Sequence, residues 1–297
     1  MRKLTVILAL SLIMVLGISS AIMAQDLRVG LSVSTLNNPF FVDLKDGAEA
    51  KAEELGIELL VVDAQDDAAQ QLSSIEDLII KQIDILVVNP VDGNAVVSAI
   101  TAANDAGIPV ITVDRGAEGG DVVSHIASDN VAGGKMAGDF IAEQINESGK
   151  VVEIEGIPGT SAARDRGKGF NESMAQYPDI EIIAQQPAGF NRAEGMTVME
   201  NILQANPEID AVFAHNDNMA LGAMEAVSAA GRSDEMIIVG FDAIDDAVEA
   251  VEEGELAATI AQKPYLMGEM AVETAQKVAN GEEVSEFTSV PLQLITE

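Results

Sequence analysis

Short apolar runs alternate with amphipathic stretches along most of this chain, and that alternation limits its fold more than any other feature. The strand-like runs cover 27–33, 58–62, 85–89, 109–113, 122–126, 151–155, 180–184, 211–214 and 237–241. Between them lie helical patterns at 41–55, 68–81, 95–106, 133–146 and 193–205. Strands that return after a helix pair in parallel, and the helices then cover both faces of the sheet. The pattern predicts an α/β chain built on parallel sheets. No Ser- or Pro-rich linker divides it, so two lobes would have to be joined by short crossings.

A weak internal repeat points to two such lobes. Residues 83–115 run from Ile83-Asp84 through a strand ending in Asn89, then Ala106-Gly107, then a strand ending in Asp114. Residues 209–242 run from Ile209-Asp210 through a strand ending near Asn216, then Ala230-Gly231, then a strand ending in Asp242. Each half thus offers one Asn and one Asp at the carboxyl ends of successive strands, where open α/β sheets bind ligands. Facing lobes would bring all four groups to one cleft.

The first residues read as an export signal. Arg2 and Lys3 precede an apolar run over 4–18, and small residues follow, with cleavage expected after Ala21 or Ala24. The run falls short of the ~20 apolar residues of a membrane span. Without residues 1–24 the chain keeps 273 residues, with 14 basic against 49 acidic, a formal charge of −35. So few cations exclude nucleic acid as a partner. The excess of carboxylates means strong self-repulsion at low salt, and a saline habitat is one reading of it. Cysteine is absent, so no disulfide holds the chain and no lipid-modified cysteine can follow the signal. A soluble, exported, periplasmic monomer is the expectation.

Catalytic templates fail. The chain has neither G-x-G-x-x-G, nor a phosphate-loop Gly-Lys-Ser/Thr, nor G-x-S-x-G. Its two histidines, His125 and His215, are too few for a metal cluster or a triad. No enzyme, metal or cofactor is expected, and both histidines read as structural.

What remains at the strand ends suits a neutral polyol. The turn at 34–41 carries Asn38, Phe40 and Phe41, in a chain with only 3% aromatic residues. Further along come Asn89, Asp114-Arg115, Arg164, Phe190-Asn191-Arg192, Asn216-Asp217, Asp242 and Gln262. Hydroxyls both donate and accept, so carboxylates, amides and guanidinium groups can all be satisfied by them. Flat rings cover the C–H faces of a sugar at little entropic cost. Taken singly these residues have blander roles: core anchors for the two Phe, helix caps for the Asp, surface ion pairs for the Arg.

With those residues in place, the chain resembles the ribose-binding members of the pentose/hexose periplasmic binding proteins of sugar ABC transporters. The matching segments are 34–41, 88–90, 114–115, 122–130, 160–164, 216–217 with 219–222, 239–242 and 256–262. The resemblance implies periplasmic binding protein type I architecture: two Rossmann-like lobes joined by a three-strand hinge. The lobes would be 25–128 plus 263–290 and 129–262 plus 291–297, with crossings near 128–129, 262–263 and 289–291. It further implies that Asn38, Phe40, Phe41, Asn89, Asp114 and Arg115 of the first lobe bind D-ribose, with another pentose, a hexose or a furanose signal molecule as the alternative ligand. Arg164, Phe190, Asn216, Asp242 and Gln262 would do so from the second. Partners would be a membrane permease and, in some members, a chemoreceptor. Two departures stand out: His215 where another polar residue is usual, and Ala243 where Gly is usual. Pro264-Tyr265 could alter the hinge.

Overall fold

The computed structural model describes residues 27–297 of the chain; the export-signal segment lies outside the described residues. In the first half, β1 (Arg28–Val33), β2 (Glu58–Asp63), β3 (Ile85–Val88), β4 (Val110–Val113) and β5 (Val122–Ser128) are separated by helices or turns. The helices here are α1 (Pro39–Leu55), α2 (Ala68–Ile80) and α3 (Val97–Asp105). Next come α4 (Asn130–Gln144), β6 (Ser148–Glu155), α5 (Ser161–Met174), β7 (Asp179–Pro187) and α6 (Arg192–Ala205). They are followed by β8 (Ala211–Ala214), α7 (Asp217–Ala229), β9 (Ile237–Asp242), α8 (Asp245–Glu252) and β10 (Ala258–Ala261). The chain ends with α9 (Pro264–Ala279), β11 (Phe287–Val290) and β12 (Gln293–Ile295).

These strands form two six-stranded sheets with one shared plan. The first runs β2-β1-β3-β4-β5-β11 and the second β7-β6-β8-β9-β10-β12. Neighbours pair in parallel throughout the first sheet, and in the second only β10–β12 is antiparallel. The predicted α/β lobes with parallel-dominated sheets are therefore present. The internal repeat maps onto equivalent strands, β3 and β4 in one sheet and β8 and β9 in the other.

The chain passes between the sheets three times: from β5 into α4, from β10 into α9, and from β11 into β12. Pro264 occupies the first turn of α9, where its missing N–H is no loss, and so starts a helix. Each sheet carries apolar layers on both faces, one set around Leu31, Ile111, Leu86 and Ile100, the other around Val152, Ile154, Phe213 and Phe241. Each fully buried side chain of this size contributes about 1.5–3 kcal/mol.

The alternation did not reveal α5, α7, α8, α9 or the last three strands. For α5 the cause is plain: much of its buried face is Ser161, Ala162, Ala163, Gly167 and Gly169, too small to stand out as an apolar stripe.

Candidate functional site

The carboxyl ends of β1, β3, β4, β6, β8, β9 and β10 converge on the cleft between the sheets. Of the nine non-glycine residues with positive φ among the described residues, Asp66, Asp114, Phe190 and Asp242 line the cleft. Left-handed backbone is costly for side-chain-bearing residues and tends to mark functional turns. The cleft's inner wall is lined by Asn38, Phe40, Phe41, Asp114, Arg115, Ala162, Arg166, Phe190, Asn216, Asp242 and Gln262. Above it the cleft widens to a chamber of about 350 Å³ that reaches Thr35, Asn37, Asp66 and Asn218.

On the first lobe, Asn38 caps α1 by accepting from the Phe40 amide at 3.1 Å, which brings both rings to the mouth of the cleft. Phe40 and Phe41 pack edge to face at 5.2 Å between centroids. Both are 3% exposed and belong to the core of the first lobe, so the anchoring role and the cleft-lining position hold together. Arg115 lies 5.1 Å from the Phe41 ring centre and 5.4 Å from that of Phe190, bridging the rings of the two lobes. Its guanidinium also donates to Pro90 O at 3.3 Å.

Asn89 is not on the inner wall. Its Oδ1 accepts from Ser34 N, and its Nδ2 donates to Val113 O and to Asp114 Oδ2 at 3.2 Å. Asn89 thus stands one layer behind Asp114 and aims that carboxylate. The Asn of the second repeat, Asn216, caps α7 through the Met219 amide and lines the cleft itself. The register counterpart of Asn89 is His215, since Asn89 N donates to Ser32 O and His215 N to Ile154 O at the ends of the matched strands, and Asn216 stands one residue further on.

The second lobe supplies a different arginine from the expected one. Arg164 is 55% exposed and points away from the inner wall, pairing with Glu118 Oε1 at 2.6 Å and Asp165 at 3.1 Å. Arg166 is 3% exposed. It donates to Asn130 Oδ1 at 2.8 Å and to His215 O at 2.5 Å, lies 3.5 Å from Asp242 Oδ1, and sits 3.8 Å from the Phe241 ring centre. The physical reason is helical phase. Residue 166 lies three positions after Ala163 and four before Phe170, on the buried face of α5, whereas 164 lies on the outer face. Thr160 caps this helix, and counting from that cap gives the spacing.

Asp242 accepts from Gln262 Nε2 at 2.7 Å. Gln262 Oε1 is buried without a donor among the described residues, leaving an acceptor for a ligand hydroxyl. Burial pushes the Asp114 carboxyl up and that of Asp242 up to about 6, against the opposing pull of Arg115 and Arg166. Burial likewise lowers both guanidinium groups. Two carboxylates and two guanidinium groups form a cage that is neutral overall yet dense in donors and acceptors. Such a cage matches a neutral ligand with many hydroxyls and repels one with a net charge.

The lobes also touch outside the cage. Gly116 N donates to Ser161 Oγ at 2.8 Å, Gly93 N to Gly159 O at 3.4 Å, and the Arg164–Glu118 pair closes the same edge.

Comparison with known proteins agrees with this architecture. The model of the family "Periplasmic binding protein domain" matches residues 29–283. The chain is 51% identical, over the full length of both, to the protein named "Ribose import binding protein RbsB" of Haemophilus influenzae. It is 52% identical to that of Escherichia coli K12, covering 94% of this chain and 93% of the other. A solved solute-binding protein of an ABC transporter from Actinobacillus succinogenes, with bound D-allose, superposes with a TM-score of 0.86 at 34% identity, covering 91% of this chain and 97% of that one.

Proposed function

The chain belongs to the periplasmic binding protein family, and from that premise we propose that it captures D-ribose in the cleft and hands it to the permease of an ABC importer. It is a binding protein and not an enzyme. The observation that carries the sugar reading is the neutral cage of Asp114, Arg115, Arg166 and Asp242 between the Phe41 and Phe190 rings. In this reading each carboxylate accepts from one or two hydroxyls, each guanidinium donates to hydroxyl or ring oxygens, and Asn38, Asn216 and Gln262 complete the set. The rings cover the sugar's C–H faces, and Asn89 acts through Asp114.

The proposed lobes are 25–128 plus 263–290 and 129–262 plus 291–297, swinging about the three crossings. Sugar that touches both lobes favours the closed arrangement, and its preference for that arrangement is what shifts the population. The permease would read the closed form in the periplasm after removal of residues 1–24, as could a chemoreceptor. The chamber of about 350 Å³ beyond the rings favours, as a second reading, a larger monosaccharide such as a hexose.

A thermal-shift screen of the purified protein against pentoses, hexoses and inositols tests both readings, because a ligand that binds only the native state raises its melting point. D-ribose should give the largest shift. A larger shift with a hexose would replace ribose, and no shift with any sugar would remove the proposal.

A further inference from the structure

Behind the cage lies a buried pair that contacts no ligand-facing space: His215 and Glu153, both fully buried. His215 Nε2 meets Glu153 Oε1 at 2.9 Å. The other carboxylate oxygen, Oε2, accepts from Asn171 Nδ2 at 3.0 Å and Gln185 Nε2 at 2.6 Å. The Gly156 amide points at His215 Nδ1 from 3.2 Å. A backbone N–H can only donate, so Nδ1 is the acceptor and the ring proton resides on Nε2, donated to Glu153. Both ring nitrogens are thereby used, and each has one fixed partner.

Three connections run from this residue to the cleft. Its carbonyl accepts from Arg166 Nη1 at 2.5 Å. Its chain neighbour Asn216 lines the inner wall. Its Nδ1 holds Gly156, whose Cα abuts the Phe190 ring so closely that an added Cβ would fall 2.0 Å from Cζ of that ring. Gly167, the residue after Arg166, leaves room for the same pair: a Cβ there would stand 3.2 Å from Glu153 Oε1 and 3.3 Å from His215 Cε1. Arg166, Phe190 and Asn216 come from three separate segments of the second lobe; Arg166 stands 5.8 Å from the Phe190 ring centre and Asn216 Nδ2 donates to Phe190 O at 3.4 Å, and each of the three is also tied to His215.

We propose that His215, held by Glu153, is the positioning residue of the second lobe, fixing Arg166, Phe190 and Asn216 in one binding register. The proposal rests on the cleft being the sugar site. A ring with both nitrogens hydrogen-bonded cannot rotate without breaking two buried bonds, so the strand end stays rigid whether or not ligand is present. Glutamine can replace the ring, because its Oε1 can accept from Gly156 while its Nε2 donates to Glu153. Leucine can do neither.

The test compares wild type, His215→Gln and His215→Leu by sugar titration calorimetry and by hydrogen exchange of the Gly156 amide in sugar-free protein. His215→Gln should keep its Kd within about threefold of wild type and its Gly156 amide protected. His215→Leu should raise Kd by tenfold or more, the scale of losing a buried hydrogen bond and stranding its partner, and should deprotect that amide. Nitrogen NMR of the wild-type ring should show Nδ1 without a proton, a result that needs neither variant to fold. A protonated Nδ1, equal exchange at Gly156 in all three proteins, or a Gln variant as weak as the Leu variant would overturn the assignment. Failure of wild type to bind any sugar would instead overturn the proposed function, and the Gly156 and ring measurements would still judge His215.

Discussion

Two arginines two residues apart have opposite fates, and the difference is measurable. Arg166 is buried against Asp242 and His215 O, whereas Arg164 is half-exposed and paired at the surface. Arg166→Ala removes a buried guanidinium that the proposed sugar would meet, and hydrogen bonds to charged groups are worth about 1.5–3 kcal/mol, so sugar affinity should fall at least ~10-fold. Arg164→Ala removes a solvent-screened pair and should change affinity by less than about fivefold. Titration calorimetry of both variants separates the roles, and a reversed order would return Arg164 to the site. Asp242 makes a second residue-scale prediction. Its carboxyl is raised to about 6, chiefly by burial, from an ordinary value of 3.8. The sugar-free fold therefore favours the protonated form, and the contribution of this group to stability is present at low pH and lost as pH rises from about 4 through 6. Sugar hydroxyls donating to the carboxylate favour the charged form, so binding should release a proton near pH 6 and almost none at pH 8. Calorimetry in buffers of differing ionisation heat reads that release directly. Equal proton counts at the two pH values would show that Asp242 does not titrate there.

At the scale of elements, the cage depends on how closely α4 and α5 approach. A Cβ on Gly134 of α4 would stand 2.0 Å from the Arg166 carbonyl oxygen, and one on Gly169 of α5 would stand 1.9 Å from that of Val131. Backbone meets backbone at this crossing, the geometry of Cα–H···O=C contacts. Gly134→Ala should push α5 outward, lowering the melting temperature by several degrees, about 1–3 kcal/mol of overpacking. It should also weaken sugar binding through Arg166, although residue 134 is not on the inner wall. Unchanged affinity with lowered stability would show that α5 tolerates the shift. Helix caps set the ends of these elements just as locally: Asn38, Thr160 and Asn216 each hold an amide of the first turn, and each cap stands at or beside the cleft. Cleft and helix starts coincide because the chain turns from strand to helix at the sheet's carboxyl edge.

The whole molecule carries a formal charge of −33, with 49 acidic residues against 16 basic. Carboxylates at this density repel one another over the Debye length, about 10 Å at 0.1 M salt and 3 Å at 1 M. Raising NaCl from 0.05 to 1 M at pH 7 should therefore raise the melting temperature. A melting temperature indifferent to salt would mean that the acidic groups are spaced widely enough to be harmless. The sheet plan, the three crossings and the repeat make the molecule two copies of one idea facing each other, and much of that was written locally. Apolar runs alternating with amphipathic stretches determined parallel α/β lobes. The repeat determined that an Asn and an Asp would stand near the carboxyl ends of successive strands in each half, and the scarcity of aromatic residues pointed to the rings of the 34–41 turn. What only the tertiary structure decided was long-range and rotational. Helical phase, 100° per residue, chose Arg166 over Arg164. Asn89 withdrew behind Asp114 because Ser34, 55 residues away, claims its Oδ1. The pairing of His215 with Glu153 spans 62 residues. A strand end or a helix cap depends on neighbours in the chain, but which side chain faces the cleft depends on partners that only folding brings into contact, and no local period encodes them.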